Sequence, residues 1–190
     1  MGMVRLETER LVIRDYRESD ILSFHTLVSD QTTMRYLPGI LCRDEQQSAK
    51  MFREAVNAAM LRDRTKHFFA VCQKSCDKTI GGIGFTIIRK GIGHLGYFYM
   101  PQYWGKGYAT EAAKAVFQHA FETIGLHKIV TGCLKENVGS EKVMIKCGMR
   151  KEADLRQHIW HEDQWKDCVE YGLLNADWLK RGIKTSQAYR

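Results

Sequence analysis

Apolar and polar residues alternate along some stretches of the chain and recur at helical spacing along others. From Arg10 to Tyr16 they alternate with a period of two, which predicts a β-strand with Leu11 and Ile13 on one face. From Ala109 to Ile124 apolar residues recur at helical spacing, and Gly125 fits the end of that helix. The other predicted strands are Phe68–Cys72, Ile80–Ile88, Leu95–Met100, Ile129–Leu134, Met149–Leu155 and Trp165–Leu174, and the other predicted helices begin at Ser19 or Asp20, at Asp44 and at Ser140.

The order of these elements predicts an α+β fold in one domain over residues 1–190. Three consecutive strands between Phe68 and Met100, joined by short turns, indicate an antiparallel meander. The strand–helix–strand unit from Leu95 to Leu134 predicts one parallel pair with a right-handed crossover. We therefore expect a mixed, mainly antiparallel sheet of about seven strands with about four helices, which a chain of 190 residues can cover with one core.

Charge and composition narrow the classes of function. The formal net charge of +7 fits a polyanionic partner such as a phosphorylated cofactor. The basic residues are scattered rather than clustered, which makes nucleic acid the weaker candidate. The six cysteines form no Cys-x-x-Cys pair and no zinc-type cluster with histidine, so we expect no metal and a reducing compartment. The polar start of the chain, and the lack of an apolar run of about 20 residues, predict a cytoplasmic protein without a membrane segment.

The stretch from Gln102 to Ala109 carries the clearest chemical signal. It lies between a predicted aromatic strand and a predicted helix and contains Gly105 and Gly107. Glycines at the start of a helix let the backbone approach a ligand closely, and the first amides of the helix have no internal partner. These amides and the helix dipole together favour a phosphate group, although an ordinary glycine-rich turn has a similar sequence.

A second glycine pattern, from Gly91 to Gly96, matches Gly-x-Gly-x-x-Gly in its letters. A dinucleotide-binding loop of this type is followed by a helix, whereas a strand is predicted here. We therefore interpret this pattern as a hairpin turn.

Several motifs, taken together, resemble one enzyme family. The letters YWGKGYATEA, from Tyr103 to Ala112, resemble the acetyl-coenzyme A motif of the GNAT N-acetyltransferases. The segment Leu6–Arg14 resembles the start of the Rim-type branch of that family, which is named for acetylation of ribosomal-protein N-termini. Asn137-x-x-Ser140 and Lys146-Cys147-Gly148-Met149 resemble motifs of the same branch, as do Asp167, Tyr171 and Leu173-Leu174 near the end of the chain.

The resemblance implies where acetyl-coenzyme A binds. In the family the sheet is splayed between its fourth and fifth strands, here Leu95–Met100 and Ile129–Leu134, and a bulge frees backbone groups for the pantetheine arm. Those groups are expected at Phe98, Tyr99 and Met100, with an amide near Phe98 stabilising the thioester oxygen. The diphosphate would lie on the amides of Gly105, Lys106, Gly107, Tyr108, Ala109 and Thr110, and Asn137 would bind the cofactor through its amide group.

The resemblance also implies direct transfer of the acetyl group to an amine. Ser140 is the expected acid that protonates the departing thiolate, and it is equally suited to cap the helix that is predicted to begin there. His94 occupies the position at which related sequences often carry a glutamate that serves as the base. Glu136, Glu170 or a relayed water are the alternatives for the base.

The acceptor is expected to be a primary amine, either a peptide N-terminus or a small molecule. Trp160, His161 and Trp165 either border an acceptor cleft or form a packed hairpin with an aromatic pair, and we favour the hairpin. A coenzyme A sensor without turnover and a basic nucleic-acid-binding module remain alternative functions. Both a monomer and a homodimer are compatible with the sequence.

Overall fold

The structure is a computed structural model that describes residues 3–37 and 39–180, and strands and helices alternate along it. The strands are β1 (Arg5–Glu7), β2 (Leu11–Asp15), β3 (Lys66–Gln73), β4 (Thr79–Arg89), β5 (Ile92–Tyr99), β6 (Lys128–Leu134), β7 (Arg150–His161) and β8 (Gln164–Leu174). They form an eight-stranded sheet in the order β1-β2-β3-β4-β5-β6-β8-β7. The helices are α1 (Ile21–Ser29), α2 (Glu45–Met60), α3 (Tyr108–Gln118) and α4 (Val138–Lys146), with a further helix over residues 175–180.

The predicted α+β class and the mainly antiparallel sheet are confirmed, with one more strand than expected. The additional strand is β1, which pairs antiparallel with β2 through Leu6 and Ile13. Three residues are too few for an alternating pattern to be visible in the sequence. None of the helices in the described residues has both the length and the apolar character that a membrane-spanning helix requires.

Contacts between residues divide the chain into two units. The first unit contains residues up to Thr86 together with Leu95–Val116, and the second contains Ile87–His94 and the chain from Phe117 onwards. The sequence predicts one domain over residues 1–190, and this division into two units leaves that expectation a prediction.

In the first unit, strands β1 to β4 pair antiparallel in chain order. The strand predicted from the alternation is confirmed as β2, and every residue of it is buried. Arg14 is buried there because it forms an ion pair with Asp20, with Nη1 2.6 Å from Oδ2. Helix α2 begins where predicted, since the Asp44 side chain accepts a hydrogen bond from the Gln47 amide at 2.8 Å.

In the second unit, the predicted parallel pair is confirmed over a short register. Residues Ile92–His94 of β5 pair with Lys128–Val130 of β6. Strands β6, β8 and β7 then pair antiparallel, so that β7 forms the edge. Helix α3 continues into a π-helical turn over His119–Thr123, and Gly125 follows with a φ of +77°.

Candidate active site

The loop between β5 and α3 has a left-handed backbone at both of its glycines. A 3-10 turn over Pro101–Tyr103 follows β5, and α3 begins at Tyr108. Between them, Gly105 has a φ of +72° and Gly107 a φ of +82°, both in the left-handed region that L-residues with a side chain avoid. The strand–loop–helix order predicted from the sequence is therefore confirmed.

The amides of this loop are available to a ligand. Among the described residues, the amides of Gly105, Lys106, Gly107, Tyr108 and Ala109 donate to no protein acceptor. The loop is exposed from Trp104 to Gly107, and the amides of Tyr108 and Ala109 begin helix α3. Consecutive unpaired amides at a helix N-terminus, together with its dipole, form a strong binding site for an anion.

Positive side chains lie close to the same loop. The Arg10 guanidinium lies 4.6 Å from the centre of the Tyr108 ring, and Lys106 Nζ lies 5.8 Å from the centre of the Tyr103 ring. Arg10 Nη1 also donates to the carbonyl oxygen of Lys106 at 3.1 Å. Local sequence patterns do not connect Arg10 with this loop, because the two are about a hundred positions apart in the chain.

The backbone at the end of β5 is only partly free. The Met100 amide donates to the Ile80 carbonyl at 3.0 Å, and the indole Nε1 of Trp104 donates to the Tyr99 carbonyl at 2.6 Å. The Met100 carbonyl also accepts from the Tyr103 amide at 2.9 Å. The expectation of free groups is therefore wrong for Met100, and it is wrong for the Tyr99 carbonyl, which accepts from Trp104. The role expected for Phe98 stays a prediction.

Glycine in β4 is needed for the close approach of β5. A Cβ added at Gly81 would lie 2.4 Å from the Phe98 carbonyl oxygen and 2.5 Å from Cδ1 of Tyr99. Only a residue without a side chain allows the two strands to approach this closely.

In the second unit, Asn137 and Ser140 occupy the first turn of α4. The Asn137 side chain accepts a hydrogen bond from the Ser140 amide at 3.2 Å, so Asn137 is the N-cap of the helix. The expectation that Ser140 opens and caps this helix is therefore wrong, and it is wrong because α4 begins two residues earlier, at Val138. The Ser140 hydroxyl is not needed for capping.

The Ser140 side chain contacts a thiol on the neighbouring strand. Burial raises the pKa of the Cys133 thiol to about 11, and a hydrogen bond with the Ser140 side chain opposes that shift. The next residue of α4, Glu141, accepts a hydrogen bond from the Tyr171 hydroxyl at 2.7 Å. Burial together with this bond raises the pKa of Tyr171 to about 12. Near neutral pH the Cys133 thiol and the Tyr171 hydroxyl are therefore neutral, whereas Glu141 is ionised and pairs with Lys151 at 3.1 Å.

The three side chains considered as a base occupy different positions. His94 is exposed and aligns with Val130 in the parallel register. Glu136 accepts from Lys166 Nζ at 2.8 Å, whereas Glu170 is exposed and aligns with Gly132. The positions of these three side chains do not identify which of them is the base.

The aromatic residues near the end of the chain form a hairpin pair, as favoured from the sequence. The rings of Trp160 and Trp165 are directly opposite on β7 and β8, 5.5 Å apart and edge to face. Beside this pair, ligand atoms of Glu136, His161 and Glu162 lie within 4.8 Å of one another. A cation at that point would compete with Lys166 for Glu136.

Comparison with known proteins identifies relatives of the whole chain. A family model described as an acetyltransferase (GNAT) domain matches residues 10–150. The uncharacterized N-acetyltransferase YnaD of Bacillus subtilis (strain 168) is 30% identical over 177 residues, which cover 92% of this chain and 99% of that protein. The ribosomal protein uS5-alanine N-acetyltransferase of Escherichia coli (strain K12) is 25% identical over 181 residues, covering 92% of this chain and 93% of that protein.

Solved structures include proteins of the same fold. The crystal structure of spermidine N-acetyltransferase from Vibrio cholerae in complex with CoA and spermine has a TM-score of 0.79 to this chain. It is 18% identical in sequence, and the match covers 90% of this chain and 99% of that one.

Proposed function

Because the chain belongs to the GNAT family of acetyltransferases, whose cosubstrate is acetyl-coenzyme A, we propose that it acetylates one primary amine by direct attack on the thioester. The acceptor amine is that of a peptide N-terminus or of a small molecule. The observation that carries the proposal is the row of five unpaired amides from Gly105 to Ala109 at the start of α3.

The diphosphate of the cofactor is the group that these amides bind. Each amide supplies one hydrogen bond to a phosphate oxygen, and the left-handed glycines keep Cβ atoms away from the ligand. The resemblance implies that Thr110, in the first turn of α3, also lies beside the diphosphate. Lys106 adds a positive charge next to the loop.

The remaining binding roles follow from the resemblance. The backbone of Phe98 binds the pantetheine arm in the manner of an added strand, and its amide stabilises the negative charge that develops on the thioester oxygen. The Tyr99 carbonyl contributes only where Trp104 leaves it accessible. The Asn137 side chain already accepts from Ser140, so a cofactor contact would come from its NH₂ group.

Catalysis requires proton transfer to a base and from an acid. The acceptor ammonium loses one proton to a base, and the amine nitrogen attacks the thioester carbon. The carbon–sulfur bond then breaks to release coenzyme A thiolate, while a second proton leaves the nitrogen and replaces the one that the acid gives to the thiolate. Ser140 donates a proton to that thiolate, as the resemblance of the Asn137-x-x-Ser140 motif implies. His94, which occupies the position of the family's glutamate, takes the proton from the ammonium directly or through water, and Glu136 and Glu170 are the alternative bases.

Charge separates the candidate acceptors. One relative acetylates the alanine of ribosomal protein uS5, and a protein of the same fold binds spermine. A formal net charge of +7 repels a polycation over the whole surface, so it favours a peptide or a small molecule with a single amine. We therefore place polyamines last among the acceptors.

A release assay tests the proposal. The protein is incubated with acetyl-coenzyme A and a panel of N-terminal peptides, monoamines and spermidine, while free thiol is measured and products are identified by mass. Thiol release with acetylation of a peptide or a monoamine supports the proposal, and acetylation of spermidine alone contradicts the acceptor class. Tight binding of coenzyme A without thiol release for any amine would indicate a sensor.

Gly107→Asp is the variant that tests the role of the loop in this assay, because it adds a side chain and a negative charge where the diphosphate is proposed to bind. It should abolish thiol release by preventing cofactor binding. If Gly107→Asp binds acetyl-coenzyme A as well as the unmodified protein does, the diphosphate does not lie on this loop.

A further inference from the structure

Arg10 connects the start of β2 to the cofactor loop and to helix α3. Its Nε and Nη2 donate to Oε2 of Glu111 at 2.7 and 2.6 Å, and its Nη1 donates to the Lys106 carbonyl at 3.1 Å. The other carboxylate oxygen, Oε1, accepts from the Thr8 hydroxyl at 2.6 Å and from the Arg10 amide at 2.9 Å. The Glu111 carboxylate therefore receives four hydrogen bonds from a three-residue segment of the chain.

The backbone of Arg10 is itself held on both sides. Its amide donates to Glu111, and its carbonyl accepts from the Lys74 amide at 2.9 Å. The guanidinium consequently extends from a fixed point, with the Tyr108 ring against one of its faces. Arginine is suited to this position because its planar group can donate to a carboxylate and a carbonyl at the same time.

These bonds determine the direction in which the loop amides point. In a trans peptide the carbonyl of one residue and the amide of the next point in opposite directions. Arg10 holds the Lys106 carbonyl, and the Glu111 amide holds the Gly107 carbonyl at 3.0 Å. The N–H groups of Gly107 and Tyr108 are thereby turned to the opposite side of the loop, where they donate to no protein acceptor.

We propose that Arg10 is a positioning residue of the cofactor site, which orients the Gly107 and Tyr108 amides toward the diphosphate through its bonds to Glu111 and Lys106. The inference rests on the proposed binding of acetyl-coenzyme A to this loop. Arg10 acts through the geometry of the loop rather than through its charge, because the Glu111 carboxylate neutralises that charge.

Burial favours the neutral form of Glu111, but hydrogen bonds from Thr8 and Arg10 outweigh it and lower the pKa of its carboxyl group. The carboxylate is therefore ionised at neutral pH and pairs with Arg10 under assay conditions.

Three variants separate geometry from charge. Arg10→Lys keeps the charge and loses the planar donor group, Arg10→Met loses both, and Glu111→Gln keeps Arg10 but removes the charge that holds it. Positioning predicts that all three weaken acetyl-coenzyme A binding roughly tenfold while kcat at saturating cofactor changes less than about twofold. Arg5→Met is the matched control, because it removes an arginine that forms an exposed ion pair with Glu7 in β1. The Arg5→Met protein should bind acetyl-coenzyme A as tightly as the unmodified protein does.

If charge were the cause instead, Arg10→Lys would bind as the unmodified protein does, and Glu111→Gln would bind more tightly because a positive charge would be uncovered. Either result would overturn the inference. Melting temperatures of all variants show whether weaker binding reflects loss of the folded state.

A measurement without cofactor keeps the inference independent of the proposed function. The ¹⁵N order parameters of the Gly107 and Tyr108 amides should be near 0.85 in the unmodified protein and in Arg5→Met, and should fall below roughly 0.6 in Arg10→Lys. Unchanged order parameters in Arg10→Lys would contradict positioning, whatever the cofactor does. If the unmodified protein fails to bind acetyl-coenzyme A while the order parameters fall as expected, the proposed function is wrong and the orienting role of Arg10 stands.

Discussion

Replacing Gly105 with alanine tests whether the backbone conformation of the loop is a requirement for cofactor binding. A Cβ at Gly105 meets no heavy atom within 4 Å, so the substitution introduces no collision. An L-residue with a side chain, such as alanine, can keep the φ of +72° only at a cost of about 1–2 kcal/mol. The entire effect therefore comes from the conformation of one residue.

That cost can appear in two measurements. If the loop keeps its conformation, the free energy of unfolding falls by about 1–2 kcal/mol. If the free loop relaxes instead, binding must restore the conformation, and the affinity for acetyl-coenzyme A falls roughly 5- to 30-fold. The two losses together should amount to about 1–2 kcal/mol.

Gly96→Ala is the matched control. Its added Cβ also meets no heavy atom within 4 Å, and its φ lies outside the left-handed region. The effect of replacing glycine on the unfolded chain is the same in both variants and cancels when they are compared. Urea unfolding and isothermal titration calorimetry supply the two free energies. The reasoning is refuted if Gly105→Ala differs from Gly96→Ala by less than about 0.5 kcal/mol in the sum of both measurements.

Three further predictions concern other residues. Gly81→Ala should lower the free energy of unfolding, measured in urea, by about 1–3 kcal/mol, because the added Cβ would overlap the Phe98 carbonyl. A smaller loss of unfolding free energy would show that β4 and β5 can move apart at this point. Ser140→Ala should lower kcat more than it raises the KM for acetyl-coenzyme A. Cys133→Ala removes the contact between the two side chains but keeps the Ser140 hydroxyl, so it should preserve kcat; an equal loss of kcat in both variants would indicate that Ser140 has only a structural role. The unfolding free energy that Glu111 contributes, measured as the difference from Glu111→Gln, should be constant from about pH 6 to pH 8 and should decline at acid pH, because the pKa of the Glu111 carboxyl in the folded protein lies below its ordinary value. A decline at rising pH would contradict this sign.

The parts of the site that depend on neighbouring residues could be predicted from the sequence. Two glycines between a strand and an apolar helix require a left-handed loop, and both Gly105 and Gly107 adopt that conformation. The hairpin pair of Trp160 and Trp165 and the end of the helix at Gly125 follow from local spacing in the same way.

The parts that depend on distant residues could not be predicted. Arg10 meets Glu111 across 101 positions of the chain, and nothing in either local sequence indicates the contact. Asn137 and Ser140 are both good capping residues, so only the observed start of α4 decides between them. The burial of Arg14 likewise depends on Asp20, which the alternation of β2 does not reveal.

A crystal structure of the protein with coenzyme A bound tests the central claim most directly. We predict that oxygens of the diphosphate lie about 2.7–3.2 Å from amide nitrogens within the range Gly105–Ala109, with the carbonyls of Lys106 and Gly107 still turned away. Coenzyme A bound with its diphosphate at another part of the chain, and with these amides contacting only water, would contradict the account.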